Sequence, residues 1–147
     1  MWMLIAGQAR ANPELDAVVH ALSSRDPVSC EALEALTPTP TATLLEVVDT
    51  VQMPPWAPMR AADCLVEHHA TEIRDHLDRW VTDPALAGLN RLVLGKLDAM
   101  PVEVAVPVAQ KALTGTDPEL ARTRIAASKV DAVRAVAPAA PVAPVTP

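Results

Sequence analysis

Apolar residues recur every three or four positions along most of the chain, which is the spacing of one buried face of an α-helix. In the first third of the sequence this pattern predicts helices over residues 13–23, 27–36 and 42–52. Two proline-rich stretches, residues 37–41 and 53–58, separate these segments from each other and from the next. Proline and the residue before it disfavour helical backbone, so we expect rigid turns there.

The pattern continues over longer segments in the second half. Residues 57–81 are predicted either as one long helix or as two helices broken near Thr71. The apolar face of this segment carries Met59, Ala62, Val66, Ile73, Leu77 and Trp80. Further helices are predicted over residues 84–97 and from Pro118 to about Val136.

One stretch departs from helical spacing, because apolar residues alternate at Val102, Val104, Val106 and Val108. Alternation by itself indicates a β-strand, but Pro107 would interrupt the hydrogen bonds of a central strand. The segments on both sides are helical, so we predict a helix that ends near Leu113. Gly115 is expected to cap its carboxyl end.

The turn after this helix carries a strong start signal for the next one. Asp117 is a good N-cap because its carboxylate accepts a hydrogen bond from an unpaired backbone N–H. Pro118 suits the first helical position, where its missing N–H costs nothing. Glu119 adds negative charge in the first turn, where it interacts favourably with the helix dipole. Residues 104–128 therefore form a helix, a short turn and a second helix.

This stretch resembles the HEAT family of helical repeats at Val106, Pro107, Ala112, Leu113, Asp117, Pro118, Glu119, Leu120, Ala126 and Ala127. The family often has Arg directly after the apolar residue of its second helix; here that position is Ala121. The Asp-Pro pair at 117 follows the pair at 83 by 34 residues, and the pair at 83 follows the Asn-Pro at 12 by 71. Helical solenoids have periods in this range.

The predicted fold is all-α, with about seven helices. The resemblance implies antiparallel helix pairs stacked as a short HEAT-like α-solenoid, and the alternative is an irregular helical bundle. The helical domain spans residues 13–136, after an apolar segment at 1–12 and before an Ala/Pro/Val-rich tail at 137–147 that we expect to be extended. The resemblance also implies a non-catalytic module, such as an adaptor, scaffold or inhibitor, that presents a helical surface to a protein partner.

The net charge is −6, with 18 acidic and 12 basic residues. An acidic surface disfavours nucleic acids and anionic membranes, because nucleic-acid binding is driven largely by lysine and arginine. It favours a protein partner with a basic surface. No run of apolar residues is long enough to predict a membrane-spanning helix. The four glycines do not form a nucleophile elbow or a phosphate loop, so we do not expect an enzyme.

Three of the four histidines fall within nine residues of each other, which raises the possibility of a metal site. His69, Glu72 and His76 lie at positions i, i+3 and i+7 of the predicted helix. Imidazole and carboxylate groups on adjacent turns are ligands for zinc or another transition metal. The alternative is a polar helix flank with no cofactor.

Trp56 and Trp80 are large amphipathic residues that could anchor a partner, since interfaces favour tryptophan. Arg60 lies one turn after Trp56 and is a candidate for the same surface. The alternative for both tryptophans is core filling, because the chain has no Phe or Tyr and only three Trp.

Cys30 and Cys64 are compatible with two compartments. They form a disulfide in an oxidising compartment or stay as buried thiols in a reducing one. We expect buried thiols and a cytoplasmic protein. Export is the alternative, because residues 1–6 are apolar and residues 9–11 fit the small-x-small pattern of a signal-peptide cleavage site.

Overall fold

A computed structural model describes residues 12–137, and within this range all the regular secondary structure is helical. The helices are α1 (Pro13–Ser23), α2 (Cys30–Glu34), α3 (Pro40–Thr50), α4 (Trp56–His68), α5 (Arg74–Thr82), α6 (Ala87–Gly95), α7 (Val102–Ala112), α8 (Pro118–Ala126) and α9 (Asp131–Arg134). Short 3₁₀ turns, Pro84–Leu86 and Leu97–Ala99, precede α6 and α7. The all-α prediction is confirmed. The apolar segment and the tail lie outside the described residues, apart from Asn12 and Ala137.

Side-chain caps set the starts of the two helices that were predicted to begin at residues 13 and 118. The Asn12 carboxamide accepts a hydrogen bond from the Leu15 N–H at 3.2 Å. The Asp117 carboxylate accepts one from the Leu120 N–H at 3.0 Å. These contacts satisfy backbone donors that have no partner inside the helix, and they place the starts of α1 and α8 at the two prolines.

The start of α2 differs from the prediction. We expected this helix to begin at Pro27, but it begins at Cys30. Ser29 has extended backbone, and its hydroxyl accepts a hydrogen bond from the Ala32 N–H at 3.2 Å. The Ser29 cap thus sets the start instead of Asp26 and Pro27, and α2 is five residues long because it also ends at Glu34, before the predicted end at residue 36.

The described residues contain nine α-helices rather than about seven, because two predicted helices are broken. The segment 57–81 ends its first helix at His68 and resumes at Arg74, which matches the alternative of a break near Thr71. The segment 118–136 breaks at Ser128, whose hydroxyl accepts a hydrogen bond from the Val130 N–H at 3.1 Å. Asp98 accepts from the hydroxyl of Ser128 and from the N–H of Lys129, and these bonds lower the pKa of Asp98.

Each helix packs mainly against helices close to it in chain order. Helix α3 packs on α4, and α1 packs on both. Further along, α4 contacts α6 and α6 contacts α8, while α5 contacts α7 and α7 contacts α9. Five of the six residues on the predicted apolar face of residues 57–81 are fully buried, and the sixth, Met59, is partly buried; the five are Ala62, Val66, Ile73, Leu77 and Trp80. Most of the rest of the described core is Ala, Val and Leu.

Helix α7 contains Pro107, and a neighbouring helix compensates for it. Proline has no N–H, so the carbonyl of Glu103, four residues earlier, loses its helical donor. Arg74 at the start of α5 donates to this carbonyl at 2.6 Å. A side chain from the adjacent helix therefore supplies the hydrogen bond that the α7 backbone cannot make.

Gly115 serves close packing rather than the capping role that we predicted. Leu113 is the C-cap of α7, and none of the described glycines has positive φ. A Cβ at position 115 would lie 2.1 Å from the carbonyl oxygen of Val81, at the end of α5. The same oxygen accepts a hydrogen bond from the Thr116 N–H at 3.0 Å. Only glycine lets the α7–α8 loop approach the α5 backbone this closely.

The Gly115→Ala substitution is expected to destabilise the protein by about 2–3 kcal/mol, because the loop must move away from Val81 and its hydrogen bond is lost. Gly95→Ala is the matched control, since no neighbouring atom lies within 4 Å of a Cβ there. Chemical denaturation followed by circular dichroism measures both. Equal free energies of unfolding for the two variants would contradict the close-packing role.

Replacing Arg74 with Met is expected to cost about 1 kcal/mol, because the exposed Glu103 carbonyl loses its donor and only water replaces it. In a Pro107→Ala background the same replacement should cost less, since the alanine introduced there has a backbone N–H that donates to that carbonyl from within the helix. A double-mutant cycle of unfolding free energies measures the difference. Equal losses in both backgrounds would show that Arg74 acts independently of the proline.

Candidate functional site

The densest group of reactive side chains lies where α2 packs beside α4. Cys30 begins α2 and Cys64 lies in α4, and the two form a disulfide with a Cα–Cα distance of 5.5 Å. This distance is within the range of about 4.4–6.8 Å that the bridge requires. Cys64 is buried and Cys30 is partly buried. The expectation of two free thiols therefore differs from the structure.

His68 lies next to this bridge. It follows Cys64 by four residues on α4, so the two side chains share one face of the helix. A ring nitrogen of His68 and the two sulfur atoms all lie within 4.8 Å of one another. The His68 side chain is 32 % exposed, so solvent and small solutes reach the group.

Glu34 of α2 links the two histidines at the end of α4. Its Oε1 lies 3.1 Å from Nδ1 of His68 and 2.6 Å from Nε2 of His69. Burial raises the pKa of Glu34, but the hydrogen bonds with His69 and His68 lower it, and the net pKa lies below the ordinary value of 4.5. The carboxylate is therefore ionised at neutral pH and faces both imidazole rings.

A second contact holds the chain just after α4. The hydroxyl of Thr41, on α3, donates to Glu72 at 2.6 Å and lies 3.1 Å from Nδ1 of His69. Nδ1 of His69 is also 3.3 Å from the Glu72 carboxylate. The hydrogen bonds from Thr41 and His69 lower the pKa of Glu72. These bonds tie the turn between α4 and α5 to α3.

Of the three predicted metal ligands, the structure brings two together. His69 and Glu72 are hydrogen-bonded, whereas His76 lies on α5, with its ring centroid 6.4 Å from that of Trp80. Within residues 12–137, one group of three His, Cys, Asp or Glu side chains has converging ligand atoms, and its members are Cys30, Cys64 and His68. The helical stripe that suggested the site is interrupted at the break after His68.

The metal site predicted from the sequence did not include Cys30, Glu31, Glu34, Thr41, Cys64 or His68. The spacing Cys30-x-x-x-Glu34 places a thiol and a carboxylate one helical turn apart, and this pairing could have been predicted from the sequence. The contact between α2 and α4 could not have been predicted from local sequence, because it joins residues that are 34 positions apart.

An apolar groove, which we call the Trp56 groove, adjoins Cys30 at the start of α2. Its apolar lining is Pro27, Val28, Leu33, Trp56, Met59 and Leu92, and Cys30, Arg60 and Asp63 complete it. The groove has a volume of about 360 Å³. Ligand pockets range from about 300 to 1,000 Å³, so it suits a few side chains rather than a large ligand.

The three predicted partner-binding residues have different positions. Trp56 is 39 % exposed and lines the groove, as a docking residue would. Trp80 is fully buried, so it fills the core. Arg60 donates to the carbonyls of Leu22 at 3.3 Å and Ser24 at 2.6 Å, and so holds the end of α1 beside the groove.

None of the helices in residues 12–137 is long and apolar enough to cross a membrane. Comparison of the chain with models of known protein families, with curated proteins and with solved structures found no match.

The Glu34→Gln substitution is expected to destabilise the protein by about 1 kcal/mol at pH 7, because the charged partner of two histidines is lost. Since the folded-state pKa of Glu34 is depressed, its contribution is full above the ordinary value of 4.5 and is lost as pH falls through the folded pKa. The difference from the wild type should therefore shrink as pH falls below this value.

Glu31→Gln is the matched control, because the Glu31 side chain is 76 % exposed and its oxygen lies 3.9 Å from His68. Denaturation curves at several pH values measure all three proteins. A Glu34→Gln loss that does not depend on pH, or that the Glu31 variant reproduces, would contradict the role of the Glu34 charge.

Proposed function

We propose that this protein is a non-catalytic protein–protein interaction module. Its Trp56 groove receives large apolar side chains from a partner segment that also carries basic residues. The observation that carries the proposal is the half-exposed Trp56 lining an apolar groove on an acidic protein.

The apolar character of the groove supports a protein partner. Trp56 and Met59 lie on the first turn of α4, and Leu92 approaches from α6. Met53, just before α4, is a further apolar side chain, and it is 75 % exposed. Tryptophan and methionine at a concave surface are typical of interface centres, where burial of one large side chain contributes most of the affinity.

The charge beside the groove supports a basic partner segment. Asp63 lines the groove and forms an ion pair with Lys96 at 2.9 Å. Lys96 also forms an ion pair with Glu67. Two carboxylates therefore face one ammonium, and the positive charge of Arg60, which also lines the groove, is directed at the carbonyls of Leu22 and Ser24. Glu31, directly after Cys30, is mostly exposed. Together with the overall charge of −6, these groups attract lysine and arginine on the approaching partner.

We further propose that the helices form a short HEAT-like α-solenoid. The successive contacts α4–α6–α8 and α5–α7–α9 support two rows of helices, with α5–α6 and α7–α8 contacts joining them. Packing between near neighbours in the sequence is characteristic of repeat architectures. Asp117 caps α8 and Pro107 lies within α7, and both belong to the stretch that resembles the family.

The two compartments expected from the sequence predict different states of Cys30 and Cys64. Export favours the disulfide, and the cytoplasm favours two thiols. Alkylation of free thiols in freshly lysed source cells, followed by mass spectrometry, measures which state is present.

A phage-displayed library of random peptides, selected on the wild-type protein, tests the proposed binding mode. Selected peptides are expected to combine large apolar residues at helical spacing with lysine or arginine. Trp56→Ala should weaken their binding by about tenfold or more, since it removes the central contact. Affinities are measured by fluorescence polarisation with labelled peptides.

Val102→Ala is the matched control, because Val102 is 43 % exposed at the start of α7 and does not line the groove. This variant should bind the selected peptides as tightly as the wild type. Selection of acidic peptides, or equal binding by the Trp56 variant, would contradict the proposal. Thermal denaturation of each variant excludes unfolding as the cause of a loss.

A further inference from the structure

We propose that the reduced protein binds one zinc ion through Cys30, Cys64 and His68. The ligand atoms of these three residues already lie within 4.8 Å of one another. Two thiolates and an imidazole are a zinc ligand set of catalytic sites, and the same ligand types with a fourth protein ligand form structural sites. The site is distinct from the one predicted at His69, Glu72 and His76, and it does not depend on the Trp56 groove binding a partner.

Local structure places each ligand. Cys64 and His68 are four residues apart on α4, so they project from adjacent turns of one helix face. Cys30 faces them from the first position of α2, with its Cα 5.5 Å from that of Cys64. The two helices thus bring the three ligands close to one another, and reduction frees the two sulfurs to separate around a shared metal.

The carboxylates around His68 complete the arrangement. Glu34 lies 3.1 Å from Nδ1 of His68, so Nε2 is the nitrogen that would bind the metal. A carboxylate on the second ring nitrogen is the usual support for a zinc-bound histidine, since it fixes the ring and increases its basicity. Glu31 lies 3.9 Å from Nε2, and its side chain is 76 % exposed, so it can move into the fourth position.

Zinc binding and the disulfide exclude each other, because the metal requires both sulfurs as thiolates. A dithiol reductant cleaves the S–S bond, supplies two electrons and two protons to the sulfurs, and is itself oxidised to a disulfide. Zinc then displaces the two thiol protons, which are released to solvent. The same pair of cysteines therefore alternates between a covalent cross-link and a metal-mediated one.

Cobalt(II) is the probe, because its thiolate complexes absorb light and its tetrahedral sites have a distinct visible spectrum. The full-length protein is reduced with dithiothreitol, freed of reductant without oxygen, and titrated with cobalt. One equivalent should bind with a thiolate-to-cobalt charge-transfer band, which added zinc abolishes. The oxidised protein should show no such band.

Variants identify the ligands. Cys30→Ser and His68→Ala should lose the tetrahedral cobalt spectrum, and Glu34→Gln should weaken binding by about tenfold. His20→Ala, at an exposed histidine on α1, and His76→Ala should retain wild-type binding. Circular dichroism verifies that each variant is folded.

The proposal is overturned if the reduced wild type shows no thiolate band. It is also overturned if folded His68→Ala binds cobalt as the wild type does, or if binding is lost in His76→Ala instead.

Discussion

His69 closes α4 with both nitrogens of its ring engaged. Glu34 of α2 lies 2.6 Å from one nitrogen, and Thr41 of α3 lies 3.1 Å from the other. Thr41 also donates a hydrogen bond to Glu72, which follows His69 by three residues. Within the same turn Ala70 and Ile73 are buried, so the break between α4 and α5 is held by polar contacts outside and apolar contacts inside. This interruption lets α4 pack on α1, α3 and α6 while α5 packs on α6 and α7.

The break also decides which histidines can act together. His68 lies before it, on the face of α4 that carries Cys64, and so belongs to the contact with α2. His76 lies after it, on α5 beside the buried Trp80. A continuous helix would have aligned His69, Glu72 and His76 along one stripe. The observed turn instead uses His69 and Glu72 as hydrogen-bonding groups that anchor the junction.

The features that could be predicted from the sequence are those determined by a few neighbouring residues. Helical periodicity and the caps at Asn12 and Asp117 are local, so the helical class and these two starts were predicted correctly. The start of α2 was predicted wrongly, because Asp26 and Ser29, three residues apart, are both good N-cap residues. Nothing in the local sequence favours Ser29 over Asp26. The role of Gly115 depends on the distant Val81 carbonyl, and the site depends on α2 meeting α4. Such contacts are set by tertiary packing, which periodicity does not encode.

The weakness of α2 as an isolated element connects the groove with the proposed metal site. A five-residue helix is too short to form without tertiary contacts, yet α2 contributes Leu33 and Cys30 to the Trp56 groove. The surface ion pairs offer little help, because exposed pairs each contribute at most about 1 kcal/mol. A cross-link that closes a loop of 34 residues contributes on the order of 4 kcal/mol by restricting the unfolded chain. When the disulfide is reduced, this restraint disappears unless another bond replaces it. A metal bound by Cys30, Cys64 and His68 joins the same two helices, and would therefore keep α2 in place beside the groove.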